Sequence, residues 1–479
     1  MLTSLLIVLP LVGALVVWVA PLPREFTAAL AVLIALAEVA LWIVTAVDFN
    51  WPSNVLQNQA QREWFGDLGV SYTVGFYGFS LWLAGLTVVV GAASIGFGAW
   101  VGRDRARAYY GLMLFLVGAV VGVFAAQDLL LFYVFFEAML IPIYVLVGVW
   151  GGPNRISATV TFVIYTMAGS LLMLASIIVF GLSQGTFNLI DSGQSGNEWV
   201  FLGFMIAFAV KAPLLPFHGW LRTAYTEAPP EVAALLSGVV SKAAVYGLIW
   251  IVLQHFPGPV QSWRTVILVL AAAGLVYGSL LAFRQPDVRG VVAYSSMAQM
   301  SLIVLGIFSL NNIGITGAVL HSVSHGLVSA AMFLLAAMLI QRTGTDRFSE
   351  LGGLAKGRPA LATAVLVVGM MTLAVPGSAN FAGEFAILAG VFIQGWGYAV
   401  VGAVAIVLAA MYSLRLISAV LHRKPGSAVR EESLDLRAGE LALIVPLIVI
   451  LLALSVWPAS ISEHTFPKEP PTMSAPVTP

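Results

Sequence analysis

Residues 204–216 read FMIAFAVKAPLLP, an apolar run that carries Lys211 and then two prolines, Pro213 and Pro216. In a bilayer a lysine at mid-depth costs about 2.5–3.5 kcal/mol on insertion scales. The prolines remove backbone donors and break the helix. Both are tolerated at membrane depth only where the chain lines protein or a water-filled cavity. The stretch therefore predicts a membrane-spanning, discontinuous helix with a working charge inside it. Three further apolar runs carry a charge: Glu137 in LLLFYVFFEAMLIP, Lys242 in LLSGVVSKAAVYGL and Glu384 in ANFAGEFAILAG. Packing demands none of the four, and together they point to the movement of protons or ions.

Composition agrees. The 479 residues are 60% hydrophobic and 9% charged, with a mean hydropathy of +0.97; soluble domains carry roughly 25% charged residues. This is the composition of an integral membrane protein. The net charge is zero, and no basic patch exists to neutralise phosphates, which argues against nucleic-acid binding. The absence of cysteine excludes Cys-ligated iron–sulfur clusters, thiol catalysis and disulfides within this chain. The first apolar run, 2–20, has no basic residue before it, so it reads as a retained helix rather than a cleaved signal.

Runs of roughly 20 apolar residues predict an all-α integral membrane protein of about fourteen transmembrane helices. They fall near 2–20, 26–46, 75–101, 109–126, 128–149, 156–182, 200–226, 231–254, 263–283, 288–309, 313–341, 360–395, 398–422 and 440–458. Segment 48–74 reads as a polar loop and the Pro-rich tail from Glu463 as irregular. Helices 7 and 12 are too long to be simple, and each has a breaker near its middle: Pro213 and Pro216 in one, Pro376-Gly377 in the other. Breaks five helices apart suggest two five-helix repeats of opposite topology. The expected organisation is an accessory trio over 1–108, repeats over 109–254 and 255–422, and a connecting loop, closing helix and short tail over 423–479. Loops on one side hold sixteen Lys and Arg against three on the other, so the positive-inside rule places both termini at the periplasmic face or its equivalent.

Lys211 is the first candidate proton carrier, with Glu137 as its expected ion-pair partner; a carboxylate brought up or withdrawn changes the affinity of a buried ammonium for its proton. The competing readings are a snorkelling lysine and a structural carboxylate. Lys242, among Ser237, Gly238, Ser241, Ala243 and Ala244, is a second site. Glu384, after the break at Pro376-Gly377, is a candidate exit site; its alternative is a helix-dipole cap. His321 and His325 are spaced i,i+4, a spacing that also suits metal ligands, but without a third ligand nearby they read as relays, His325 above all. His218 follows the Pro216 break and is a further relay candidate.

The longer stretches resemble the antiporter-like membrane subunits of respiratory complex I and their Mrp-antiporter relatives. The resemblance is carried by DLLLFYVFFEAMLIPIYVLVGVWGG (128–152), FAVKAPLLPFHGWL (208–221), EAPPEVAALLSGVVSKAAVYGL (227–248), AYSSMAQMSLIVLGIFSLN (293–311) and HGLVSAAMFLLAAMLIQRTGT (325–345), and covers about 110 to 420. It implies that Glu137 and Lys211 are a coupled pair, Lys242 the central lysine, His325 a relay and Glu384 the terminal site. It further implies proton translocation driven by quinone reduction elsewhere in a large complex. No cofactor is expected in this chain; FMN and iron–sulfur clusters belong to partner subunits. The implied partners are the antiporter-like chains L and N, smaller membrane subunits and the lipid of a bacterial inner membrane. L and N usually carry Lys at the helix-12 site, so Glu384 points to their remaining sibling, as does a chain that ends soon after helix 14. Three departures stand out: Arg222-Thr223-Ala224-Tyr225 where the family commonly reads Pro-Asp-Ala-His, Gln299 where it often has His, and a basic doublet reduced to Arg289-Gly290. Gln299 cannot titrate, so a side-chain wire would be interrupted there. The alternatives are an Mrp-type cation/proton antiporter, a haem- or quinone-binding redox subunit, and a subunit of a related hydrogenase or photosynthetic complex.

Overall fold

The structure, a computed structural model, describes residues 1–53, 55–430 and 434–463; the tail expected beyond Glu463 lies outside them. Twelve helices among the described residues are long and apolar enough to cross a membrane. The apolar cores of Pro230–His255, Val288–Ile307 and Asn312–Thr343 are buried, whereas Leu2–Val19 and Arg24–Asp48 lie at the rim. The rim helices expose Leu33, Leu36 and Ile43, as an apolar solvent allows. Lys242, His321 and His325 sit on the central helices, while Glu137, Lys211 and Glu384 come from helices packed around them.

The two over-long spans are both broken where the prolines predict. Glu198–Lys211 ends at Ala212, and Leu221–Glu227 resumes after a run of turns. The indole of Trp220 donates to the freed Val210 carbonyl at 3.1 Å. Pro359–Thr372 and Ala379–Gln394 are separated by a turn in which Ala374 (φ +54°) and Gly377 (φ +90°) take left-handed backbone. Ser378 then caps the second half by accepting from the Phe381 amide at 3.2 Å. The first half starts on Asp435, which accepts from the Ala360 and Leu361 amides at 2.8 and 2.9 Å. Partial burial works against its charge, but these amides, with that of Leu436, hold its carboxyl below the ordinary range.

Three features depart from the expected layout. The polar loop 48–74 holds a two-stranded antiparallel sheet, Gln57–Phe65 with Val70–Phe76. It turns through Gly69 at φ +67°, where an added Cβ would lie 3.1 Å from the Gly185 carbonyl oxygen. The outer strand is polar and the inner strand buried, so periodicity that searches for apolar runs passes it by. The expected helix 128–149 is interrupted at Met139 between Leu129–Ala138 and Leu140–Trp150; Pro142 has no N–H to return to the Ala138 carbonyl. The expected simple helix 231–254 contains two π-helical segments, Leu236–Val240 and Gly247–Val252, on either side of Lys242–Tyr246.

An ion pair pins the start of the most buried helix. Glu231, inaccessible to solvent, receives Arg103 Nε and Nη2 at 2.7 and 2.9 Å and the Tyr109 hydroxyl at 2.5 Å. Arg342 and Glu440 make a second two-pronged pair at 2.7 and 2.6 Å between Asn312–Thr343 and Ala438–Val456. Breaking a buried pair leaves an uncompensated charge. Glu231→Ala is therefore expected to cost about 3 kcal/mol, the low end for a broken buried pair because Arg103 is partly exposed, read as a lowered thermal-unfolding midpoint in detergent. An unchanged midpoint would contradict the clasp.

Candidate functional site

Lys242 has no solvent-accessible surface. Its Nζ donates to the Ser237 carbonyl at 2.7 Å and lies 3.4 Å from Ser241 Oγ. The π-helical segment makes this acceptor available: the Ser241 amide reaches back five residues to Leu236, at 3.3 Å, and the widened turn leaves Ser237 O for side chains. Such π-segments are frequent at functional positions. Gly238 and Gly326 meet at the same level; a Cβ on Gly326 would come 2.6 Å from the Gly238 carbonyl oxygen, and one on Gly238 3.1 Å from that of Gly326. Only glycine lets Pro230–His255 and Asn312–Thr343 approach this closely.

Around that crossing lies a hydroxyl cluster that sequence reading missed. Ser237 Oγ sits 2.7 Å from Ser296 Oγ and 2.6 Å from Ser329 Oγ. A cavity of about 20 Å³ adjoins it, bordered by His325, Ser295, Ser413 and Tyr412. That is room for a water molecule with several polar partners. Ser295 Oγ and the Tyr412 hydroxyl are 2.9 Å apart. Serines in apolar helices read as small packing residues, and only their convergence from three helices distinguishes these.

Glu384 is buried and belongs to a chain of contacts. Gln299 Nε2 donates to Glu384 Oε1 at 3.0 Å, and Gln299 Oε1 accepts from His321 Nε2 at 2.8 Å. The His321 and His325 rings stack with centroids 5.9 Å apart. Glu384 Oε2, His321 Nδ1, His325 Nε2 and Asn380 Oδ1 are buried without a hydrogen-bond partner. The bridge at Gln299 and the central place of His321 differ from the expected pattern, in which Gln299 was a gap and His325 the leading relay.

Lys211 lies at the C-terminal end of its helix half, where the dipole favours a cation. It is 3% exposed, with Nζ 4.7 Å above the Phe136 ring, a cation–π geometry. Glu137 is half-buried, and its charge bears on Lys211, but the expected direct ion pair is not formed among the described salt bridges. The neighbour against the ammonium is instead the ring of Phe136, one residue before Glu137. No side-chain hydrogen bond joins Lys211 to Lys242 among the described residues; the Phe208 ring packs on Gly247 between their helices, 2.2 Å from where a Cβ would stand. His218 stands apart, edge-on to Tyr277 at 5.4 Å, with Nδ1 unpartnered.

No group of three or more His, Asp or Glu suited to a metal ion occurs among the described residues. The arrangement is a set of buried ionisable groups linked by hydroxyls and an amide, suited to holding and passing protons.

Comparison with known proteins places this geometry. Residues 126–410 match the family model described as NADH:quinone oxidoreductase/Mrp antiporter, TM. NADH-quinone oxidoreductase subunit M of Mycobacterium tuberculosis is 34% identical over 98% of this chain and 94% of its own length. That of Pseudomonas aeruginosa is 35% identical over 96% and 94%. Among solved structures, a chain of respiratory complex I from Thermus thermophilus with bound NADH superposes with a TM-score of 0.89 at 31% identity, covering 97% of each chain. A chain of the Mrp complex from a Dietzia species gives 0.86 at 24% identity over 97% and 95%, a likeness of fold.

Proposed function

We infer the function from one premise: the chain belongs to the NADH:quinone oxidoreductase/Mrp antiporter transmembrane family. It is an antiporter-like, proton-translocating membrane subunit of NADH:quinone oxidoreductase, corresponding to the relatives named subunit M. Within it, Glu137, Lys211, Lys242 and Glu384 carry the protons, with His321 and His325 as relays and His218 as an outlying one. The observation that carries this reading is Lys242, a lysine without solvent contact that hydrogen-bonds to a carbonyl made available by a π-helical turn.

A perturbation arriving from a neighbouring subunit acts first on Glu137, the half-buried member. Bringing its carboxylate toward Lys211 stabilises the ammonium, and withdrawing it favours release; each pKa unit so moved corresponds to about 1.36 kcal/mol. The proton passes to the Lys242 region, where Ser237, Ser296 and Ser329 offer hydroxyls that both donate and accept. Glu384 is the terminal site.

The two broken helices support counting each as one crossing, for fourteen in all, and support repeats of opposite topology over 109–254 and 255–422, between the trio at 1–108 and the closing segment 423–479. The protein sits in a bacterial inner membrane, and the charge asymmetry of the loops supports both termini being periplasmic. Chains L and N and smaller membrane subunits are the partners; FMN and the quinone site lie in other subunits, as do the iron–sulfur clusters, for which this chain offers no cysteine ligand.

The second reading, an Mrp-type antiporter subunit, is favoured by the Dietzia superposition. Purification in mild detergent separates them. NADH-dehydrogenase subunits are expected to copurify with this chain. Recovery with Mrp-type subunits alone, with sodium-dependent proton exchange, would overturn the assignment.

A further inference from the structure

Gln299 cannot titrate, yet it holds two titratable neighbours, Glu384 and His321, by hydrogen bonds. Its amide has a donor end and an acceptor end. The nitrogen donates to Glu384 Oε1 at 3.0 Å and the oxygen accepts from His321 Nε2 at 2.8 Å. An amide oxygen only accepts, so His321 carries its proton on Nε2 in this arrangement. The same arrangement suits an ionised Glu384, which only accepts.

Protonating Glu384 disturbs it. A proton on Oε1 would set donor against donor. A proton on Oε2 would leave a buried O–H without an acceptor, because that atom has no partner, and an unmade buried hydrogen bond is costly. A half-turn of the Gln299 amide removes both problems. Its oxygen then accepts from the Glu384 hydroxyl, and its nitrogen donates to a bare His321 Nε2. The histidine proton must by then lie on Nδ1, beside the Asn380 main chain. Nδ1 has no hydrogen-bond partner in the observed state, as this exchange requires.

We propose that Gln299 is a rotating, non-titrating coupler: its amide ties the protonation of Glu384 to the loss of the Nε2 proton from His321, while blocking direct proton transfer between them. No bond to Gln299 forms or breaks. Glu384 takes up one proton, while His321 stays a neutral imidazole throughout: it gives up its Nε2 proton on one side and takes one up on Nδ1, so the ring's proton count does not change. Gln299 is thus a positioning residue, and the proposal rests on the proton-translocating function above. The titratable groups that face the pair are Lys242, whose charge bears on both histidines, His325, and Tyr412, on which the Glu384 charge bears in turn.

The test uses the whole complex in proteoliposomes, reading protons moved per NADH oxidised against pH. Gln299→Met keeps the length and removes both hydrogen bonds; a loss of proton yield is expected. Gln299→His restores a donor and an acceptor and adds a titrating group. Its yield is expected to recover, with a new step in the pH profile between about pH 5 and 8. A Met variant that pumps like the parent overturns the coupler, as does a His variant whose profile matches the parent's. If the Met variant does not assemble, the His profile alone decides. If the parent complex moves protons while both variants match it, the coupler fails and the function stands. If the parent moves none, the function fails and the coupler with it.

Discussion

Lys242→Met in the assembled complex is expected to remove this chain's share of proton pumping, read as a fall in protons moved per NADH oxidised in proteoliposomes. Methionine matches lysine in length and flexibility, so the axis should stay packed; the Gly238–Gly326 crossing does not involve the side chain. What disappears is the ammonium bonded to Ser237 O. Burying a charge in this position is costly, so its removal should leave the unfolding midpoint equal or higher. Those two results together distinguish a working charge from a structural one. A proton yield equal to the parent's would show that protons take a route that bypasses Lys242.

Lys211→Ala should also stop pumping, but with a structural penalty, and the difference is informative. The alanine removes the ammonium above Phe136 and leaves a void at the end of the half-helix. Lys211→Arg keeps the charge and the ring stacking, but arginine does not release its proton. If Lys211 only balances charge, the Arg variant pumps. If it must shed and regain a proton, the Arg variant assembles normally and fails to pump, which is the expected result. Pumping by the Ala variant at the parent's yield would exclude Lys211 from the path.

The helices were legible because apolar runs of bilayer length are long, and the breaks because Pro213 and Pro376 each sit in such a run. The hairpin Gln57–Phe76 was not, since a strand pair with one polar edge has no apolar run to find. The π-helical turns around Lys242 leave no mark in composition; Ser237 and Gly238 are as compatible with a regular helix. At the site, residue types were legible and partnerships were not. Glu137 and Lys211 read as a pair in the sequence, yet the ammonium lies over the Phe136 ring and makes no described salt bridge. Gln299 was read as a gap because a glutamine cannot titrate, and three-dimensional placement made it a bridge. His321 gained its place the same way, through an i,i+4 partner of His325 that reaches Gln299 at 2.8 Å.

The Gly238–Gly326 contact restricts how such a molecule can move. Two main chains this close cannot slide past one another without meeting side chains such as Ala330, whose Cβ already lies 3.3 Å from where a Cβ on Gly238 would stand. The central axis therefore behaves as a stator. The moving parts must be the elements that have already given up regular hydrogen bonding: the turns at 212–220 and 373–378, and the side chains in between. Larger residues at position 238 or 326 would spread the axis, and the serine cluster that spans it would be the first set of contacts to part.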